Sequence, residues 1–224
     1  MSTNYNILLE SEKKLKELII EYIHLVHEIH FKLWRDIEKD KDELRSVLDN
    51  VERRLQKSKV LEEELLDECI WTISKDDPRA NHLRFIISII YATKDLSRAC
   101  EYAKAIAKLI VRKSFKVEWI KYLKPVSKLY LDQIESLLKI YQSNIDDKFE
   151  KIEELNVSYE TSLEKIYVSN KKQLSDEIAF FRINQVSRLM ASTIERIQFI
   201  FSSTVFVKQK SYGATKTIKI NSKK

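Results

Sequence analysis

Three histidines, His24, His27 and His30, follow one another at three-residue steps, and Glu21 stands three residues before the first. Imidazole nitrogens and carboxylate oxygens at such spacing are metal ligands in principle, and on a helix they work as i,i+4 pairs or as i,i+3 pairs completed by carboxylates. Glu21-Tyr22-Ile23-His24 supplies one ExxH. A carboxylate-bridged di-iron bundle needs two of these and two further glutamates, and the chain has no second ExxH. His27-Glu28 fails the HExxH pattern, because Phe31 stands where the second histidine would be. On a helical wheel the three histidines climb from the edge of the apolar stripe to its polar side, so they read as partly exposed side chains. His82, the fourth, reads as structural. Cys69 and Cys100 lie among apolar residues with no CxxC pair, which reads as two buried free thiols. No Ser/His/Asp or Cys/His arrangement is readable.

The elements that must hold these residues are legible from what is scarce. The chain has 224 residues, 44% hydrophobic and 33% charged, with a single glycine, Gly213, and two prolines, Pro78 and Pro125. An average chain of this length carries about fifteen glycines. Tight β-hairpins lean on glycine or asparagine for positive φ, so an all-α fold is expected. The same scarcity removes GxGxxG dinucleotide loops, GxxxxGK[ST] phosphate loops and GxSxG nucleophile elbows. No enzyme is expected.

Apolar periodicity places six helices at about 6–38, 41–74, 78–112, 117–143, 146–172 and 175–207. Asp77 is expected to cap the third helix, with Pro78 in its first helical position. That helix is the most apolar and should be central. Pro125 should mark a kink or a start in the fourth. The six helices fall into two sets of three. Arg84 and Arg98 on the third helix have counterparts Arg182 and Arg196 on the sixth at one offset of 98 residues, which also pairs Leu65 with Leu163 and Leu33 with Leu131. The expected fold is two tandem three-helix bundles related by pseudo-twofold symmetry: 1–113, 114–206, and a basic, flexible tail, 207–224.

Net charge is +6, and the six lysines from Lys208 to Lys224, with no acid among them, account for all of it. The body is neutral, which argues against a nucleic-acid face. The tail suits an anionic membrane surface or an acidic partner. The N-terminus lacks the basic and apolar regions of a signal peptide, and the run Phe85–Ala92 is too short to span a bilayer. A cytoplasmic place, at the inner face of the membrane, is expected.

The segment Asp77-Pro78-Arg79-Ala80-Asn81-His82-Leu83-Arg84 and the run Asp95-Leu96-Ser97-Arg98-Ala99-Cys100-Glu101, ending in the alanine-rich Ala103–Ala107, resemble the PhoU family of helical regulators of bacterial phosphate uptake. The acidic lead-in Leu61–Ile70 and, in the second half, Ile194-Glu195-Arg196-Ile197 carry the same resemblance. The resemblance implies a non-enzymatic regulator that damps phosphate transport through the ATPase subunit of a phosphate ABC transporter. It also implies a sensor histidine kinase as a second partner, and a homodimer. The family presents a glutamate and an aspartate at i and i+4 in each repeat, where they hold iron or zinc. Here Ser97 replaces the first acid of one motif, leaving Glu101, and Phe199 replaces the second acid of the other, leaving Glu195. A lone carboxylate holds a transition metal poorly. Glu101 and Glu195 are the remaining metal candidates. Arg84, Arg98, Glu101, Arg182, Glu195 and Arg196 are the candidate partner-binding residues, with Arg98 and Arg196 also suited to pair internally with Glu101 and Glu195. The rival reading is a helical scaffold or adaptor that kept the shape and lost phosphate signalling.

Overall fold

A computed structural model describes residues 2–37, 44–78, 80–112, 115–142, 149–173 and 176–211. These form α1 (Ser2–Ile37), α2 (Leu44–Asp76), α3 (Asn81–Ile110), a short 3₁₀ turn (Val117–Trp119), α4 (Ile120–Gln142), α5 (Phe149–Gln173) and α6 (Glu177–Ser211), with no strand among the described residues. The chain is all-α, as glycine scarcity requires. α6 runs past Val207, and the remainder of the basic tail, 212–224, lies outside the described residues.

Side-chain bonds give the helix directions. Lys14 bonds Glu68 at 2.6 Å and Ser11 bonds Asp76 at 2.7 Å, while Arg54 reaches Glu28 at 3.6 Å, so α1 and α2 are antiparallel. Glu62 receives both Lys94 and Ser97, and Glu52 meets Lys104, so α2 and α3 are also antiparallel. α4, α5 and α6 form the second set. α3 lies against α6 in the most extensive contact of the fold, and α1 lies against α4. That pairing is what two three-helix units related by a pseudo-twofold would give. α3 is central, touching α1, α2 and α6.

The third helix begins later than its sequence suggests. Asp77 and Ala80 have φ of 46° and 49°, and the helix starts at Asn81. An N-cap residue needs extended φ, which Asp77 lacks, so the expected Asp77–Pro78 start is not formed. A chain with one glycine makes this left-handed reversal with aspartate and alanine instead. At the other proline, α4 starts five residues earlier, at Ile120, and Pro125 lies inside its second turn. There it forgoes one bond, to the carbonyl of Lys121.

The core is built from the periodic positions: Leu15, Ile19, Ile23, Val26, Ile29 and Leu33 of α1 pack with Ile86, Ile89, Leu96 and Ile106 of α3 and with Leu123, Ile134 and Leu137 of α4. Cys69 and Cys100 are buried free thiols, as expected, and burial pushes both up to about 12. Neither is a nucleophile at neutral pH.

His30 departs from its expected exposure. It is 0% exposed. Its Nε2 lies 3.0 Å from the Ala99 carbonyl oxygen and its Nδ1 lies 3.2 Å from the Tyr130 hydroxyl. A carbonyl only accepts, so Nε2–H donates and Nδ1 accepts from the Tyr130 O–H. The Trp34 indole N–H donates in turn to the Tyr130 oxygen. The wheel placed His30 near the polar side of α1, but that face is covered by α4, which periodicity within one helix does not reveal. His24 is exposed and His27 half-buried, as expected.

Burial pushes His30 down to about 4, against the raising effect of its bond to Ala99. The unfolded imidazole titrates near 6.5. The unfolded chain therefore binds the extra proton between those values, and stability falls as pH falls through that window. His30 contributes on the order of 3 kcal/mol that is fully present above about pH 6.5 and gone below about pH 4. Urea midpoints measured from pH 7.5 down to pH 4.5 are expected to decline, and to decline less in His30→Gln, which cannot charge.

Candidate functional site

Where α3 meets α6, Arg98 of the one helix and Arg196 of the other, the pair matched at the offset of 98, both act on one acid. Arg196 Nη1 meets Asp95 Oδ1 at 3.3 Å, and both side chains are mostly covered. Arg98 is exposed on the same helix as Asp95, three residues on, and acts on the same carboxylate. Burial raises the Asp95 carboxyl above its usual range, against the lowering pull of Arg196 and Arg98. Desolvation alone would lower the Arg196 guanidinium, but the Tyr102 hydroxyl and Asp95 more than offset it. The Arg196 guanidinium also lies 6.0 Å over the exposed Phe199 ring, and its Nε is buried without a hydrogen-bond partner.

Arg196 thus pairs across the helix crossing, and Asp95 rather than Glu101 or Glu195 is its partner. Neighbours one residue apart on a helix do not face each other, so Glu195 could not have served. The signal for Asp95 was available in its i,i+3 spacing to Arg98. Beside this pair, Glu62 of α2 accepts from Ser97 at 2.6 Å and from Lys94 at 2.9 Å. Ser97, standing where the resemblance implies a metal-binding acid, is tied instead to an acid on the next helix.

The other predicted site residues are placed as follows. Glu101 and Glu195 are exposed, on α3 and α6. Among the described residues no group of three or more His, Cys, Asp or Glu could hold a metal ion, so these two carboxylates are not assembled into such a set. Arg84 bonds Asn81 and is exposed. Arg182 bonds Gln185 and lies 5.9 Å over Phe181. Each of these arginines is fourteen residues from its motif partner, or about 21 Å along its helix. Of the six predicted residues the structure thus brings Arg98 and Arg196 to one acid, Asp95, while Glu195 acts on Tyr159 of α5, Glu101 is exposed on α3, and Arg84 and Arg182 are outlying. Arg98, Arg196, Asp95 and the exposed Phe199 make a mixed-charge surface with one aromatic and no nucleophile–base pair among these residues. It suits recognition of a protein surface, where arginine and aromatic side chains are favoured.

Comparison with known proteins bears on the family and the fold. The family model described as the PhoU domain matches residues 13–110, which is most of α1 with all of α2 and α3. The chain is 33% identical over 225 residues to the uncharacterized protein MG409 of Mycoplasma genitalium, covering 92% of this chain and 96% of that one. It is 28% identical to the homologous Mycoplasma pneumoniae protein, covering 88% and 90%. Among solved structures it is similar to the phosphate transport system regulatory protein PhoU of Streptococcus pneumoniae, with a TM-score of 0.67 and 17% identity over 91% of this chain and 97% of that one. It is also similar to PhoU of Pseudomonas aeruginosa, with a TM-score of 0.61 and 14% identity over 95% and 99%. At such identities these two likenesses speak to the fold.

Proposed function

The chain belongs to the PhoU family, and from that premise we propose that it is a non-enzymatic regulator of phosphate uptake. It acts by docking on the ATPase subunit of a phosphate ABC transporter and holding it in a non-cycling state. The observation that carries the reading is the α3–α6 contact, where Arg196 is braced by Asp95 while Arg98 and Phe199 stay exposed beside it. Bracing lowers the entropy lost when a long side chain is immobilised in a complex. A regulator of this kind shifts an equilibrium only by binding one transporter state better than another. A homodimer, a sensor histidine kinase as second partner and a place at the inner membrane face complete the reading. No described helix is long and apolar enough to cross a membrane.

The test is phosphate uptake by cells in phosphate-rich medium. Deleting the protein is expected to leave uptake high when phosphate is abundant, and restoring it is expected to damp uptake again. Uptake unchanged by deletion would favour the scaffold reading.

A further inference from the structure

The two halves are not equally filled. In the first, Leu65, Cys69, Ile86 and Ile89 are buried in the core where α2 lies along α3, with Ile90 packed against it. The offset of 98 residues carries Leu65 to Leu163, Cys69 to Tyr167, Thr72 to Asn170, Ile86 to Asn184, Ile89 to Ser187 and Ile90 to Arg188. In the second half these positions line a cleft of about 100 Å³ between α4, α5 and α6, floored by Val126 and Ile166. It is continuous with an outer bay lined by Tyr167, Lys171, Glu177, Phe180, Phe181 and Arg188. α5 touches α4 and α6 over shorter stretches than α2 touches α1 and α3. Polar residues have replaced isoleucines at core-facing positions, and the space has stayed open. Two turns from Val126, on the same face of α4, Gln133 is buried with neither amide atom hydrogen-bonded.

We propose that this cleft binds an adenine nucleotide of low charge, a nucleoside monophosphate. Together with the outer bay of about 630 Å³ that shares Tyr167, Asn184 and Arg188 with it, the space reaches the range of small-molecule sites. Asn170, only 5% exposed, and Asn184 each offer an amide donor and acceptor, the pair that matches the edge of adenine. The walls of Leu163, Ile166 and Val126 cover the faces of a flat ring, and Tyr167, 5.6 Å from Phe180, supplies an aromatic platform at the mouth. Lys171 and Arg188 stand at the rim, where phosphate oxygens would emerge, and among the described residues neither is held in an ion pair. Glu177 shares that rim, so the two cations less one carboxylate leave a single positive charge, which fits one phosphate rather than three.

The experiment is calorimetric titration of the whole protein with adenosine monophosphate, with adenosine and inorganic phosphate as separate probes. It needs no transporter, so its failure leaves the docking reading standing, and failure of docking leaves this one standing. Saturable binding of the nucleotide is expected, with adenosine weaker and phosphate alone not saturating. Arg188→Ala, at an exposed position, should weaken binding about tenfold or more, the worth of one charge-assisted contact. Asn184→Ile, which restores the residue of the first half, should abolish binding while raising the melting temperature, because it fills the cleft. No saturation by the nucleotide up to about 1 mM, where affinity would be only about 4 kcal/mol, would overturn the proposal. So would binding indifferent to both substitutions, or inorganic phosphate binding as tightly as the nucleotide.

Discussion

Replacing His30 by alanine is expected to destabilise the protein by about 3–5 kcal/mol, the largest effect of any single histidine change. The imidazole is fully enclosed and joins three helices: it donates to the Ala99 carbonyl of α3 and accepts from the Tyr130 hydroxyl of α4. Removing it leaves a cavity and two polar groups with a lost partner, and these penalties add. Tyr130→Phe tests the same chain from the other side. It leaves His30 Nδ1 and the Trp34 indole N–H without the hydroxyl they share, which should amount to about 2 kcal/mol. His24→Ala is the control, because His24 is exposed and holds only a 3.3 Å contact to Gln142. It should shift stability by no more than about 0.5 kcal/mol. Urea unfolding of the three variants measures all of this. A His30→Ala effect no larger than that of His24→Ala would show that the bonded chain does not hold the halves together.

The second large effect concerns recognition. Changing Arg98 and Arg196 together to alanine is expected to weaken docking on the transporter ATPase by about a hundredfold, since two arginines at the centre of an interface commonly contribute 1–2 kcal/mol each. Arg98→Ala alone carries the cleaner reading. Arg98 is exposed, so its loss should weaken binding about tenfold with stability nearly unchanged. Arg196→Ala also uncovers the half-buried Asp95, so part of its effect will be structural. Arg84→Ala, about 21 Å along α3 from Arg98, should weaken binding little. Equilibrium binding of the four variants, with melting temperatures in parallel, separates these contributions.

The helices were legible because apolar residues recur at 3.6-residue spacing and one glycine leaves no room for hairpins. The expectation of a repeat rested on two arginine pairs at one offset, and one of those pairs, Arg98 and Arg196, lies where α3 meets α6. What escaped the sequence depended on partners from other helices. The wheel put His30 toward solvent because it knows only α1, while α4 supplies Tyr130 across that face. A cross-helix pairing of the repeat arginines was expected with Glu101 and Glu195, while Asp95, six residues before Glu101 on α3, is the acid that holds Arg196. The start of α3 was misplaced because Asp-Pro is a common helix opening, whereas the reversal from α2 demands positive φ at Asp77 and Ala80. The open cleft of the second half could have been found by comparing the halves position by position, since Ile86 and Ile89 stand against Asn184 and Ser187.

The central claim is that this bundle restrains a phosphate transporter through its α3–α6 face. The most direct measurement is a titration of the purified ATPase subunit with this protein, recording binding and ATP hydrolysis together. The account predicts saturable binding, a hydrolysis rate that falls in step with occupancy, and a weaker effect with Arg98→Ala. Absence of binding at tens of micromolar protein, a range that covers contacts of about 6 kcal/mol, or binding that leaves hydrolysis unchanged, would contradict it.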